Sequence, residues 1–225
     1  MPGKTLRKVV VTIKIIENRI GFSSSTPIRV EPVQARSAAR VSALLDAAAN
    51  VIHDVGYEQL TTAMVADNAG ASIGTVYRYF PDRIAVLKAL AARNLDRVVV
   101  TLRHNLLEQA PASLSAAMTV TVNTLVAFFR QEQGFRSLRV GDVLDIRPMT
   151  GGRGGNADIA SVVRDYLHES QGIMLDSQGR VGVETVIDVV DALLGRSFMY
   201  SDRGDSTVLA EVTRVSQRLV EDFSA

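Results

Sequence analysis

The chain contains no cysteine. This absence excludes disulfide bonds, thiolate metal sites and thiol catalysis. No apolar run approaches the roughly 18–20 residues that a membrane-spanning helix needs. We interpret His104 and His168 as lone histidines and not as members of a metal site. We therefore expect neither a metal nor another cofactor.

A complete signal peptide is also missing. Lys4, Arg7 and Lys8 precede an apolar segment, but Lys14 and Glu17 interrupt it, and no small-residue cleavage site follows. The chain has 225 residues, of which 47% are apolar, and this is enough for one or two domains with a buried core. We therefore predict a cytoplasmic protein.

The formal net charge of +1 hides an uneven distribution of charge. Residues 1–103 carry more Lys and Arg than Asp and Glu, whereas residues 104–225 carry an excess of acidic residues. A basic front half beside an acidic rear half is typical of a DNA-binding segment followed by a region with another function. Solvated faces of long helices would give the same asymmetry, so charge alone does not decide the function.

Residues 60–80, LTTAMVADNAGASIGTVYRYF, predict two short helices joined by a tight turn. Thr61 and Thr62 can cap the first helix, Gly70 supplies the turn, and Ser72 opens the second helix. The residues expected to face the core from the second helix and its end are Ile73, Val76 and Phe80. The residues expected to face outward carry hydroxyl, phenol or guanidinium groups or, in the case of glycine, no side chain. They are Ser72, Gly74, Thr75, Tyr77, Arg78 and Tyr79. Such a surface suits the major groove of DNA, so the segment predicts a helix-turn-helix.

Helices are predicted on both sides of this segment. In residues 33–55 apolar positions recur every three or four residues, and Gly56 ends the stretch. Pro81 and Asp82 can end the recognition helix and cap the next one. From Arg83 onward, apolar positions at the same spacing indicate a long helix that reaches about residue 103.

Residues 40–90 resemble the DNA-binding domain of the tetracycline-repressor (TetR) family of transcriptional regulators. The matching segments, in the same order and spacing, are residues 47–49, 55–57, 60–62, 65–66, 69–70, 73–80, 82–83 and Leu87. The resemblance covers under a quarter of the chain and departs from the family at Arg83, where members often carry lysine. It implies an all-helical homodimer with a small N-terminal DNA-binding domain and a larger C-terminal domain for effector binding and dimerisation.

The same resemblance implies roles for individual residues at the DNA. Those expected to touch backbone phosphates are Thr62, Tyr79 and Arg83. Those expected nearest the bases are Gly74, Thr75, Tyr77 and Arg78, with Ser72 on the same surface. Thr62 could instead be only a helix cap, and Tyr79 could pack on the following helix. Arg78 is the expected base-reading side chain, because an arginine fork pairs with a guanine edge.

Residues 1–32 are predicted to be a separate N-terminal extension, because their one β-prone segment has no partner strand. Three interpretations stay open: a disordered tail, which we favour, a basic arm that touches DNA, and sequence upstream of the true translation start. The predicted domains that follow are a helix-turn-helix domain at 33–82, a connecting helix at 83–103, and an effector-binding and dimerisation domain at 104–225.

The rear half predicts helices at about residues 114–129, 159–167, 181–200 and 206–223. The glycine-rich segment 147–156 lacks the Gly-Lys-Ser/Thr sequence and the preceding strand of a phosphate-binding loop, so it is predicted to be a connector. The last two helices would form a hairpin with more apolar surface than one core needs, and this favours pairing with a second copy. The predicted dimer interface comprises Val183, Val186, Ile187, Val190, Leu194, Val208, Val212, Val215 and Leu219.

An effector pocket is expected inside the rear half. The candidate lining residues are Met118, Val122, Leu125, Phe128, Phe129, Met149, Tyr166, Met174, Phe198 and Met199. Each of them has the ordinary core role as the alternative. Methionine and phenylalanine suit an apolar or aromatic effector.

Together these patterns predict an all-α regulator that binds a double-stranded, pseudopalindromic operator as a homodimer. In the favoured interpretation it is a repressor that a small effector releases. An activator or a constitutive regulator is an alternative, since promoter geometry decides between them. A ligand-binding protein that has lost DNA binding is another, although Thr75, Tyr77, Arg78 and Arg83 argue against it. No Ser–His–acid arrangement, metal cluster or nucleotide loop supports an enzyme.

Overall fold

The structure, a computed structural model, describes residues 31–132, 134–140 and 155–224. The expectations for residues 1–30, for Met149 and for most of the glycine-rich connector lie outside these residues. Within them the chain forms helices and no strand, which confirms the predicted all-α fold. No helix in this part of the chain is long and apolar enough to cross a membrane.

The helices are numbered here in chain order. They are α1 Glu31–Val55, α2 Thr62–Asn68, α3 Ile73–Tyr79, α4 Arg83–Gln109, α5 Leu114–Gln131, α6 Phe135–Val140, α7 Gly155–Gln171, α8 Ser177–Ser197 and α9 Ser206–Ser224. The chain divides into two compact units. Of the described residues, the first unit holds 31–96 and 134–138, and the second holds 97–132, 139–140 and 155–224.

The first unit is built around the apolar stripe of α1. Leu44, Leu45, Ala48 and Ile52 are fully buried, as their three- and four-residue spacing predicts. Other helices of the unit and the segments that join them also contribute to this core, which includes Leu60, Val65, Val76, Phe80, Leu87 and Leu90. The short helix α6, which the sequence did not predict, adds Leu138 at the edge of the core.

A buried arginine ties α4 to α1 within this unit. Arg93 Nη1 donates to Asp46 Oδ1 at 2.6 Å and to the Ser42 carbonyl at 3.4 Å. Its Nη2 donates to the Leu45 carbonyl at 3.4 Å. A buried guanidinium needs such acceptors, because an uncompensated charge in a protein interior is costly. The two helices that support the helix-turn-helix are thereby held in one arrangement.

The second unit has an apolar core in which the polar groups satisfy one another. The rings of Phe129 and Phe198 stack with their centroids 5.1 Å apart. The hydroxyls of Thr121 and Thr124 donate to carbonyls one turn earlier in α5, both at 2.8 Å. The phenol of Tyr166 donates to the Pro111 carbonyl at 3.0 Å, so this buried hydroxyl also has a partner.

Helices α8 and α9 form the predicted hairpin, with the break at residues 198–205. Helix α8 begins earlier than expected because Asp176 caps it, accepting a hydrogen bond from the Gly179 amide at 2.7 Å. It also ends earlier than expected, at Ser197. Asp205 caps α9 in the same way as Asp176 caps α8, through the amides of Thr207 and Val208. Local side-chain chemistry therefore sets where these two helices begin.

Gly204 in the hairpin turn offers a test of this packing. Its φ is +78°, and an added Cβ would lie 2.9 Å from both Phe198 and Leu209. Gly172 is a matched control, because its φ is +66° but nothing lies within 4 Å of an added Cβ. We expect Gly172→Ala to lower the free energy of unfolding by about 1–2 kcal/mol, through backbone strain alone. Gly204→Ala should cost about 1–3 kcal/mol more, through overpacking.

Urea denaturation of the two variants measures this difference. Equal losses in the two variants would contradict the prediction, because they would mean that Phe198 and Leu209 move aside at no cost.

Candidate nucleic-acid interface

The first helix of the motif, α2, is capped by Thr61. Its Oγ1 accepts a hydrogen bond from the Met64 amide at 3.2 Å. Thr62 is therefore not the cap, and its hydroxyl is used elsewhere: Thr62 Oγ1 donates to the Tyr77 phenolic oxygen at 3.3 Å. This bond joins the start of α2 to the outward side of α3.

The turn between α2 and α3 has the expected glycine. Gly70 has a φ of +58°, a conformation that L side chains rarely adopt. The Ala71 amide then donates to the Ala66 carbonyl at 2.9 Å and closes the turn. Ser72 caps α3, since its Oγ accepts from the Thr75 amide at 3.2 Å. The hydroxyls of Ser72 and Thr75 are also hydrogen-bonded to each other at 2.9 Å.

Helix α3 is anchored by Val76 and by Phe80 at its C-cap, both fully buried as predicted. Ile73 was expected to be buried with them, and this expectation was wrong: 43% of its surface is exposed. At 3.6 residues per turn, Ile73 lies about 60° from Val76, at the edge of the buried face. As the first residue of the helix, it also lacks a preceding turn to cover it.

The outward side of α3 carries most of the predicted DNA-binding residues. Ser72, Gly74 and Arg78 are exposed, Thr75 is half-buried, and 53% of the Tyr77 surface is exposed. At about 100° per residue, Ile73, Tyr77, Gly74 and Arg78 occupy one arc of about 140°. Arg78 makes no hydrogen bond or ion pair with any residue that the structure describes.

Two further predicted residues are hydrogen-bonded within the protein, one to α1 and one to the turn between α1 and α2. Tyr79 is half-buried, and its phenolic oxygen accepts a hydrogen bond from Ser37 Oγ at 3.5 Å. Arg83 is exposed, and its Nη1 donates to the Glu58 carbonyl at 2.7 Å. One arm of the Arg83 fork is thus oriented by the protein. The sequence carried no signal for Ser37 or for the Glu58 carbonyl, because both contacts join residues far apart in the chain.

In the second unit, most of the predicted effector-pocket residues are core residues. Those that are buried are Met118, Val122, Leu125, Phe129, Tyr166 and Phe198, and Phe128 is half-buried. Met174 lies on the surface with 80% of its area exposed. Within the part of the chain that the structure describes, a cleft of about 620 Å³ lies at the α8–α9 turn. The residues that line it include Met199, Tyr200 and Val208. Of the predicted pocket residues that the structure describes, Met199 is the one that lines this cleft.

Of the predicted dimer-interface residues, some are buried within one chain and others are only half-buried. Val183, Val186, Ile187, Val190, Leu194 and Val212 are buried within a single chain. Val208, Val215 and Leu219 on α9 are half-buried and lie along one side of that helix. Only these three of the nine are thus accessible to a second copy.

No group of three or more His, Cys, Asp or Glu side chains with the geometry to hold a metal ion occurs among the residues that the structure describes.

Comparison with known proteins identifies both units. A family model described as bacterial regulatory proteins of the tetR family matches residues 44–90, and one described as a tetracyclin repressor-like C-terminal domain matches residues 112–221. The chain is also similar to a solved TetR-family transcriptional regulator from Streptomyces coelicolor. The TM-score is 0.69 with 26% identity, over 83% of this chain and 98% of that one.

Two curated relatives are similar over different extents. The fatty acid metabolism regulator protein of Bacillus subtilis is 23% identical over 150 residues, which cover 65% of this chain and 72% of that protein. The HTH-type transcriptional repressor KstR of Rhodococcus jostii is 36% identical over 55 residues, only 24% of this chain and 26% of that protein. These relatives are transcription factors and not enzymes. The chain belongs to the TetR family of DNA-binding transcriptional regulators.

Proposed function

We propose that this DNA-binding regulator is a homodimeric repressor that binds a pseudopalindromic operator and is released by a small apolar or aromatic effector. The observation that carries the DNA-binding part is the outward arc of α3. There an exposed arginine without a partner among the described residues lies beside a bare glycine and an exposed phenol. Within such an arc, Arg78 can reach a base edge, and Gly74 lets the backbone approach DNA closely.

The residues around this arc fit contacts to the DNA backbone. Thr62, Tyr79 and Arg83 come from three different elements, and each makes a hydrogen bond within the protein. These bonds limit the conformational freedom that each side chain would lose on meeting a phosphate. We assign the three residues to phosphate contacts and Gly74, Thr75, Tyr77 and Arg78 to the bases, with Ser72 capping the reading helix.

A dimer is favoured by the size of the reading surface and by the hairpin. One helix of seven residues reaches too few base pairs for a specific site, whereas a twofold partner doubles the contacts. The α8–α9 hairpin leaves Val181, Met199 and Tyr200 exposed, in addition to the half-buried stripe of α9. Isologous pairing through this surface would cover apolar area that otherwise faces water.

The interior of the second unit fits an apolar effector. Its core includes Met118, Phe129 and Phe198, and its threonine hydroxyls are already bonded to their own helix. A ligand entering this core would meet apolar contacts and few free polar groups. The name of the Bacillus subtilis relative, a fatty acid metabolism regulator, supports a lipid-like effector, and the name of KstR supports repression.

Release would follow from thermodynamic linkage. An effector that favours a conformation with misplaced recognition helices lowers operator affinity by a factor α. The operator then lowers effector affinity by the same factor. Couplings of this kind commonly reach about 5- to 150-fold.

Selection from a random synthetic duplex library, followed by footprinting at physiological salt, tests the proposal as a whole. A protected twofold sequence is expected. Protection no better than on unselected duplex would refute sequence-specific binding.

Arg78→Ala should abolish much of the preference for the selected duplex over unselected duplex. The expected loss is about 5- to 150-fold per half-site, because an arginine–guanine pair contributes about 1–3 kcal/mol of discrimination. Arg218→Ala removes the same charge from an exposed position on α9 and serves as the control. Competition binding on the two duplexes measures the effect. An equal loss on both duplexes would indicate a phosphate contact for Arg78 instead.

Val215→Arg should convert the dimer to a monomer and weaken operator binding, because it places a charge in the half-buried stripe of α9. Gln217→Arg adds the same side chain at an exposed position of the same helix and should leave the dimer intact. Sedimentation velocity reports the mass, and circular dichroism checks the fold. An unchanged dimer in Val215→Arg would exclude this stripe as the interface.

Palmitate should weaken operator binding within the range expected for linkage, whereas succinate, which has carboxylates but no apolar chain, should not. Resorcinol serves as the aromatic probe. Operator affinity is measured by fluorescence anisotropy with each compound. Affinity that stays flat across all of them would count against induction and leave constitutive repression as the mode of action.

A further inference from the structure

Ile73 is an aliphatic side chain exposed on the outward arc of the recognition helix. It is the first residue of α3, directly after the capping Ser72, and 43% of its surface is exposed. The buried face of α3 does not cover it, because the buried Val76 lies about 60° away around the helix. A partner that covered this isoleucine would remove apolar area from water, which is favourable.

The residues nearest to Ile73 along α3 are two hydroxyl residues and a glycine. The hydroxyls of Ser72 and Thr75 are bonded to each other at 2.9 Å, and Ser72 Oγ also accepts from the Thr75 amide. Gly74, the next residue, has only Ser72 Oγ within 4 Å of an added Cβ, at 3.9 Å. The first turn of α3 therefore presents an aliphatic side chain beside open backbone, next to two hydroxyls that share one hydrogen bond.

On the base edges of the major groove, one apolar group is available, the C5-methyl of thymine. The N-terminal residues of a recognition helix are those that approach base edges. We infer that Ile73 contacts a thymine C5-methyl in each operator half-site and so selects thymine at that position. This inference rests on the proposed binding of DNA through the outward arc of α3.

The position of this thymine follows from the helix. Ile73 and Arg78 are five residues apart, which corresponds to about 7.5 Å along the axis of α3. Base pairs are spaced about 3.4 Å along DNA. The thymine should therefore lie within about three base pairs of the guanine that Arg78 reads. The first turn would select by an apolar contact, and the last turn by hydrogen bonds.

The test uses the full-length protein and the duplex selected from the synthetic library, whose cytosines carry no methyl group. Each thymine is replaced in turn by deoxyuridine, which removes only the C5-methyl and keeps the base pair. At one position of each half-site we expect about fourfold weaker binding, the effect of one buried methyl group. Replacement in both half-sites should give about a fifteenfold loss, if the two contacts are independent.

The matching protein variant completes a double-mutant cycle. Ile73→Ala should lose affinity for the thymine duplex and should bind the deoxyuridine duplex no worse than the wild-type protein does. Ile73→Val, which keeps aliphatic methyl groups at Cβ, should retain part of the discrimination. Val55→Ala is the control, because Val55 is a 42% exposed aliphatic residue at the end of α1 in the same unit. It should discriminate as the wild type does.

Two results would overturn the inference while leaving the proposed function intact. One is a selected operator at which no thymine-to-deoxyuridine change weakens binding. The other is a methyl effect that persists unchanged in Ile73→Ala, which would assign the contact to another side chain such as Tyr77. If no sequence is selected at all, the proposed function fails and this inference fails with it. Thermal unfolding of each variant confirms that a loss of binding does not reflect a loss of fold.

Discussion

The burial of Val76 and Phe80 in the core of the first unit is the interaction on which the outward surface of α3 depends. Helix α3 has only seven residues, far fewer than a helix needs to be stable alone in water. Its stability must come from these two anchors, from the Ser72 cap and from the core that α1 provides. The core in turn relies on the Arg93 contacts that hold α4 to α1. A buried arginine on α4 thus supports the helix that we propose contacts DNA.

With α3 anchored in this way, hydrogen bonds within the protein orient several side chains on and beside it. Thr62 donates a hydrogen bond to Tyr77, and Ser37 donates one to Tyr79. The Glu58 carbonyl accepts a hydrogen bond from Arg83. Side chains that are already oriented lose less conformational entropy on binding, which suits contacts that set the position of the protein on DNA. Arg78 and Ile73 differ in chemistry, one able to pair with a guanine edge and the other able only to make apolar contacts. Together they could distinguish bases in two different ways.

The second unit shows how a wide apolar surface is shared between a core and an exposed face. The α8 stripe and Val212 are covered within one chain, so they stabilise the protomer whether or not a partner is present. The half-buried stripe of α9 is left over because a helix that packs through one side cannot cover its neighbouring positions completely. The hairpin can therefore stabilise the fold and still offer surface for association. Core packing and the proposed association would thus use different residues of the hairpin.

The sequence by itself determined what depends on neighbouring residues: the two helices of the motif, the Gly70 turn, the caps at Ser72 and Asp82, and the hairpin near Gly204. Spacing and capping are local interactions, so they can be read along one chain. Tertiary structure decided the exposure of Ile73, the partners of Tyr79 and Arg83, the six-residue helix α6, and which apolar residues of the hairpin remain accessible. Each of these depends on which distant segments pack together. A periodic pattern shows that a helix has an apolar side, but only packing decides how much of that side is covered.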